Sequence, residues 1–221
     1  ECLEPDAIGQ LETVLCRAIV VAIPAPQAAM LLHSLTESEL SPEFMAQLEA
    51  VRFVPCISAI AGYPTRHYQD WFIQLLDLRA IAVNDDPDLA WIGLDSSKRS
   101  APVQPVFVFQ STVEFAERHL EMTNLNSAGT ILLEKAASFL APWLAIPEWL
   151  QIHRWRYALP QTPLADLYLP AATSVPLVCA GDWCGGTKVE TAFLSGLAVA
   201  DYINCELDDR SMPSVPLWEA L

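Results

Sequence analysis

The sequence predicts an α/β or α+β protein, with two terminal segments of α/β character flanking an inserted mixed sheet with helices. Three observations predict it. Residues 18–23 form a short apolar strand that runs through a proline turn into a helical pattern at residues 27–35. Residues 175–181 form a second strand that runs through a glycine turn into a long helical pattern at residues 187–204. Between them, over about residues 51–147, β-branched and aromatic runs alternate with helical ones.

The elements follow in order. The run Ala-Ile-Val-Val-Ala-Ile at 18–23 is apolar at every position, as in a strand buried on both faces. Ser41-Pro42-Glu43 reads as a helix start, with serine as the cap, proline in the first turn and an acid near the positive end. That helix runs to about Val51. Residues 53–61, 89–94 and 105–110 are strands, with turns at the Asp85-Asp86-Pro87-Asp88 and Asp95-Ser96-Ser97-Lys98 segments. Helical patterns follow at 113–121 and 128–140, and residues 152–158 return to strand. The helix at 187–204 has almost no polar face. Its Ala192, Gly196 and Ala200 recur every four residues, which strips one edge of bulk and suits close packing on a flat partner.

The chain of 221 residues has 52% hydrophobic residues, enough to bury a real core, and a net charge of −15. Such a surface repels phosphate backbones, so nucleic acid is not an expected partner. The densest acidic patch, Asp85, Asp86 and Asp88, reads as a solvated surface. The cysteines (Cys2, Cys16, Cys56, Cys179, Cys184 and Cys205) show no C-x-x-C pair and no ligand spacing with histidine. They read as free thiols in a reducing compartment, without a metal. No apolar run reaches the ~18 residues of a membrane span and no signal peptide is visible, so a cytoplasmic location is expected.

Two constellations could carry chemistry. The first is strand, Gly181-Asp182, Gly185-Gly186, helix. A glycine turn lets backbone approach a ligand closely, and a helix start offers unpaired N–H groups and partial positive charge. These features suit a phosphate or the negatively charged carbonyl edge of a reduced flavin; an ordinary glycine-rich β–α turn is the alternative. Asp182 at the strand end could accept from a ribose or ribityl hydroxyl. The second is His153-Arg154-Trp155-Arg156-Tyr157-Ala158. On a strand, His153, Trp155 and Tyr157 share one face and Arg154 and Arg156 the other. The aromatic face could wall a pocket and the arginines could hold phosphate or carboxylates; salt bridges around a core tryptophan are the alternative. The G-x-G-x-x-G fingerprint, the P-loop, G-x-S-x-G and H-E-x-x-H are absent. No residue stands out as a catalytic acid, base or nucleophile.

Three segments together resemble the renalase-like FAD-dependent amine oxidases. They are Ile19-Val-Val-Ala-Ile-Pro-Ala-Pro-Gln27 with the helix after it, Leu89-Ala-Trp-Ile-Gly-Leu-Asp-Ser-Ser-Lys98, and the pair formed by 153–158 and 178–196. The match runs from about Ala18 to Asn204. The resemblance implies a discontinuous Rossmann-like FAD domain, incomplete here, from residues 1–50 and 151–221, and a substrate domain from 51–150. It implies FAD as cofactor, held by Gly181, Asp182, Gly185, Gly186 and the amides of Val189 and Glu190. Trp155 and Tyr157 are its pocket residues. It implies hydride transfer from a reduced nicotinamide, an NAD(P)H-type small molecule, or an amine-type substrate to flavin and then to oxygen. The family's amino-terminal G-x-G-x-x-G is not in this sequence, so a further amino-terminal segment of the same protein is the expected partner. A family His-containing segment before the helix at Val113 is replaced by Phe107-Val-Phe-Gln-Ser111, and Thr191 stands where the family has glycine. A module of the same fold that has given up FAD and serves as a scaffold is the second reading.

Overall fold

The structure, a computed structural model, describes residues 15–35, 40–67 and 79–208. It is a mixed α/β protein with two sheets. The chain divides into two compact units, Glu1–Arg52 with Thr162–Leu221, and Phe53–Gln161.

In the first unit, β1 (Ile19–Val21) lies parallel to β8 (Leu177–Cys179), and β7 (Leu169–Ala171) pairs antiparallel with the other edge of β8. Pro24 ends the approach to helix α1 (Ala25–Leu32), which buries Ala25, Ala28, Ala29 and Leu32. That i, i+3, i+4, i+7 spacing is one stripe of a helix. Helix α2 (Pro42–Ala50) starts as its sequence dictates: Phe44 N–H donates to Ser41 Oγ at 3.2 Å, and Phe44 and Leu48 turn inward. The Thr162 hydroxyl accepts from Arg52 N–H at 2.8 Å and donates to Ala50 C=O at 3.1 Å, which ties the end of α2 to the returning chain.

Residues 18–23, expected as a strand buried on both faces, form a shorter one. Ile19 and Val20 are 41% and 48% exposed, because among the described residues β1 pairs only with β8. The terminal helix α5 (Val189–Asp208) buries Ser195 and Val199, one turn apart, and Val199 joins Val178 and Ala180 in a small core. Its opposite stripe, Phe193, Leu194 and Leu197, is about two-fifths exposed, and among the described residues nothing lies within 4 Å of where a Cβ at Gly196 would stand.

The second unit is a five-stranded sheet in the order β3-β4-β5-β2-β6, formed by Ala80–Ala82, Leu89–Leu94, Val106–Ser111, Arg52–Gly62 and Trp149–Thr162. The pairs β3/β4, β4/β5 and β5/β2 are antiparallel. Alternation along the strands sends Ile57, Ala59, Ala61, Phe107 and Phe109 to one face. Helices α3 (Val113–His119) and α4 (Asn126–Phe139) supply Phe115, Ala128, Leu132 and Leu133 to the same core. The hydroxyl of Tyr63, deep in that core, donates to Leu144 C=O at 2.8 Å. The short strands β3 and β7 carry no pattern of their own in the sequence, and the expected turn at 95–98 is one turn of 3₁₀ helix.

The acidic patch is a structural joint where the sequence reads as solvated surface. The Asp86 side chain is only 8% exposed; it accepts the N–H groups of Asp88 and Leu89, each at 2.9 Å, and pairs with Lys135 Nζ at 3.2 Å. Asp88 pairs with Arg118 at 2.5 Å. Burial raises the Asp86 pKa, but the two amides and the ammonium outweigh it and hold the carboxyl below its ordinary value. The joint clips the start of β4 to α3 and α4.

Candidate functional site: the turn between β8 and α5

Strands β1 and β8 are parallel, so their carboxyl ends share one edge of the sheet, and each leads through a turn into a helix. Ligands of α/β sheets gather at such edges. Here the two turns are stitched together. Ala180 N–H donates to Val21 C=O at 3.1 Å, and the indole N–H of the buried Trp183 donates to Ile23 C=O at 3.1 Å. A third segment closes the turn from outside: Leu164 N–H donates to Trp183 C=O at 2.8 Å, and Gly185 N–H donates to Leu164 C=O at 2.9 Å.

The glycines are there for conformation. Gly185 has φ +74°, and a Cβ on it would stand 2.6 Å from Leu167 Cδ2. Gly186 has φ +151°, and a Cβ would meet Thr191 Cγ2 at 3.0 Å. Both belong to the positive-φ region that side chains rarely adopt. Gly181, at φ +152°, donates its N–H to Ser195 Oγ at 3.2 Å. Ser195 is fully buried one helical face away, and its hydroxyl also meets the Cys184 thiol. A hydroxyl inside an apolar helix has to find such partners, which is the one sequence signal that marks Ser195 as the strut of this turn.

Thr191 secures the helix start. Its hydroxyl accepts from Lys188 N–H at 2.9 Å and donates to Lys188 C=O at 2.7 Å. This is the back-reaching half of a capping box, performed by threonine. Ala192 N–H is the first to bond into the helix, to Lys188 C=O at 3.1 Å. The amides of Val189 and Glu190 therefore precede the ladder, and Val189 is 89% exposed. Burial raises the carboxyl pKa of Asp182 above its ordinary value. Burial also pushes the Cys179 and Cys184 thiols up to about 12, so both stay protonated and unreactive at neutral pH. Cys16 and Cys205 are exposed, and Cys2 lies outside the described residues.

The structure thus brings Gly181, Asp182, Gly185, Gly186, Val189 and Glu190 into one turn and helix start in the first unit. Trp155 and Tyr157 lie on β6 of the second. Trp155 is 50% exposed beside His153, ring centroids 4.0 Å apart, and lines a surface groove of about 600 Å³ with Ser58, Ile60, Val108 and Gln110. Tyr157 meets Phe53 edge-on at 6.0 Å. The arginines on the opposite face are taken up locally: Arg154 donates to Met122 C=O at 2.6 Å, and Arg156 makes a two-pronged pair with Glu121. The salt-bridge alternative holds for Arg156 alone, and the tryptophan between the arginines is half-exposed and not in the core.

These residues fit the flavin end of FAD. Two unladdered amides at a helix start, a positive-φ glycine turn, and a partly exposed apolar stripe at Phe193, Leu194 and Leu197 suit an anionic edge on a flat ring system. No dinucleotide fingerprint is present to take the ADP end. Among the described residues, no group of three or more metal-ligating side chains occurs, and no helix is long and apolar enough to cross a membrane.

Comparison with known proteins agrees in kind. The family model described as "Flavin containing amine oxidoreductase" matches residues 8–204. A crystal structure from Exiguobacterium sp. 255-15, described as "Putative protoporphyrinogen oxidase", is similar in fold at a TM-score of 0.56 and 13% identity, over 86% of this chain and 41% of that one. The chain therefore spans well under half the length of that protein. No curated protein matches.

Proposed function

We propose, from the premise that this chain belongs to the flavin-containing amine oxidoreductase family, that it works as the flavin-contacting and substrate-facing part of a renalase-like, FAD-dependent oxidoreductase. The observation that carries the reading is the turn from Gly181 to Glu190, strutted by Ser195 and capped by Thr191. When bound, FAD would supply the two-electron chemistry, hydride acceptance from a reduced nicotinamide or amine-type small molecule with oxygen as the final electron acceptor. The chain's own residues bind and orient. Asp182 offers an acceptor to ribityl hydroxyls. The amides of Val189 and Glu190, at the positive end of α5, would stabilise negative charge on a bound flavin. Gly185 and Gly186 give the turn its positive-φ backbone, and Phe193, Leu194 and Leu197 would exclude water beside a bound flavin. In this reading Glu1–Arg52 with Thr162–Leu221 is the partial FAD domain and Phe53–Gln161 the substrate domain, with Trp155 and Tyr157 on its sheet.

A further segment of the same cytoplasmic protein supplies the strand, glycine fingerprint and helix for the ADP half. The 41% span of the similar structure and the exposed apolar side chains of β1 support this. The test is the absorbance spectrum of the purified chain, alone, with added FAD, and in a longer form carrying a G-x-G-x-x-G segment. A flavin band in the longer form, weak or lost in the shorter, is the expected result. No flavin band in either form overturns the proposal in favour of a scaffold that has given up the cofactor.

A further inference from the structure

The sheet of the second unit has one face covered by α3 and α4 and another that the described residues of the unit leave open. On the open face, cross-strand neighbours form two rows, Gly93–Val108–Ile60 and Trp91–Gln110–Ser58. Two grooves run over these rows. The first, at the β6 side, is the Trp155 groove of about 600 Å³. The second, of about 330 Å³ at the β3 side, is lined by Trp91, Gly93, Asp95, Ser97 and Lys98 with Arg79. Val108 and Gln110 line both, so the two grooves are contiguous.

The two ends differ in chemistry. Trp91 lies along the sheet over Gly93, so close that a Cβ there would fall 1.9 Å from its ring. With the half-exposed Trp155 it leaves two indoles on one face, with the exposed amide of Gln110 on the central strand between their strands. Two indole faces favour a flat, largely apolar body. The far end is basic, although the chain carries −15 overall. Among the described residues, Arg79 and Lys98 line that end together with one carboxylate, Asp95. Asp95 is already engaged by Arg99 at 2.6 Å and Lys98 at 3.1 Å. Its pKa is held below the usual carboxylate range first by those hydrogen bonds. Its charge is thus answered from within the cluster, and Arg79 has no ion-pair partner among the described residues. The groove end offers the Arg79 guanidinium and the Ser97 hydroxyl to an anion, with the Lys98 ammonium shared with Asp95.

We propose that this open face binds a flat, apolar molecule carrying a carboxylate, with the carboxylate at the Arg79 end and the body across Trp91 and Gln110 toward Trp155. The proposal rests on reading this face as the substrate surface, and it narrows the substrate class: the site favours an anion over a protonated amine. Gln110 then sets the orientation of the body, and Arg79 sets selectivity by charge.

The test uses the full chain and three probes of one shape and different charge: 2-naphthoate, 2-naphthamide and 2-naphthylmethylamine. Binding is read by isothermal titration and by quenching of tryptophan fluorescence. The proposal expects naphthoate to bind at least about tenfold tighter than naphthamide and the amine weakest. Arg79→Gln, at an exposed position, brings naphthoate down to the naphthamide level and leaves naphthamide unchanged. Trp91→Leu weakens both by a similar factor. Equal binding of the three probes, a preference for the amine, or a naphthoate preference that survives Arg79→Gln overturns the proposal. The titration needs no flavin. Naphthoate selectivity without any flavin band keeps this site and sinks the FAD reading, whereas a flavin band without selectivity sinks this site alone.

Discussion

Replacing Ser195 with alanine tests whether the turn that precedes α5 is held in place or merely allowed. The hydroxyl is fully buried, accepts from Gly181 N–H at 3.2 Å and lies against the Cys184 thiol. Alanine leaves that amide without an acceptor. An orphaned amide costs about 1–3 kcal/mol, and the long bond to a half-buried glycine places the loss near the lower end, about 1–1.5 kcal/mol. The change in packing is small, since one oxygen is removed and no methyl is added. Urea unfolding followed by tryptophan fluorescence reads the loss directly, with an unchanged slope and a lower midpoint. If the turn must hold this geometry to meet a flavin, the same loosening lowers FAD affinity by roughly fivefold to tenfold. Unchanged stability together with unchanged FAD affinity refutes the strut.

Two further changes probe the frame. Gly185→Ala forces a side chain into φ +74° and toward Leu167, at a cost of about 1–2 kcal/mol from backbone strain alone; thermal unfolding shows it as a drop of several degrees, and an unchanged Tm contradicts the geometry of the turn. Asp86 has a folded pKa below its unfolded value of about 3.9, so its contribution is present above that pH and is lost as pH falls through the folded pKa. Asp86→Asn therefore lowers stability at pH 7 by about 1–2 kcal/mol and flattens the acid limb of the stability–pH curve; a variant whose gap to the parent does not narrow as pH falls contradicts the assignment.

The large elements were legible because their causes are local. Ser41-Pro42 sets the start of α2, and β-branched and aromatic runs mark β4 and β5 within a residue of their bounds. The turn at 181–186 was legible because only glycine takes its backbone angles. What the sequence hid depends on distant partners. Leu164, which closes the turn from outside, and the three-residue strands β3 and β7 have no periodicity to show. The Asp86 joint looked like solvated charge because Lys135 and Arg118 stand tens of residues away in the chain. The open face of the second unit escaped notice because its residues, Trp91, Gln110 and Ser58, come from three separate strands and meet only through register. The exposure of β1 was missed because an apolar run does not say how many of its faces the rest of the chain covers.

The most direct test of the flavin reading is amide hydrogen exchange of the protein with and without FAD. The first-turn amides of α5 at Val189 and Glu190 lie outside the helical ladder, so in the absence of cofactor they exchange fast. The account predicts that FAD slows exchange at residues 186–190 and leaves the α3–α4 face of the second unit unchanged. Fast exchange at Val189 and Glu190 in a protein that carries a flavin band would contradict it, because the cofactor would then sit elsewhere.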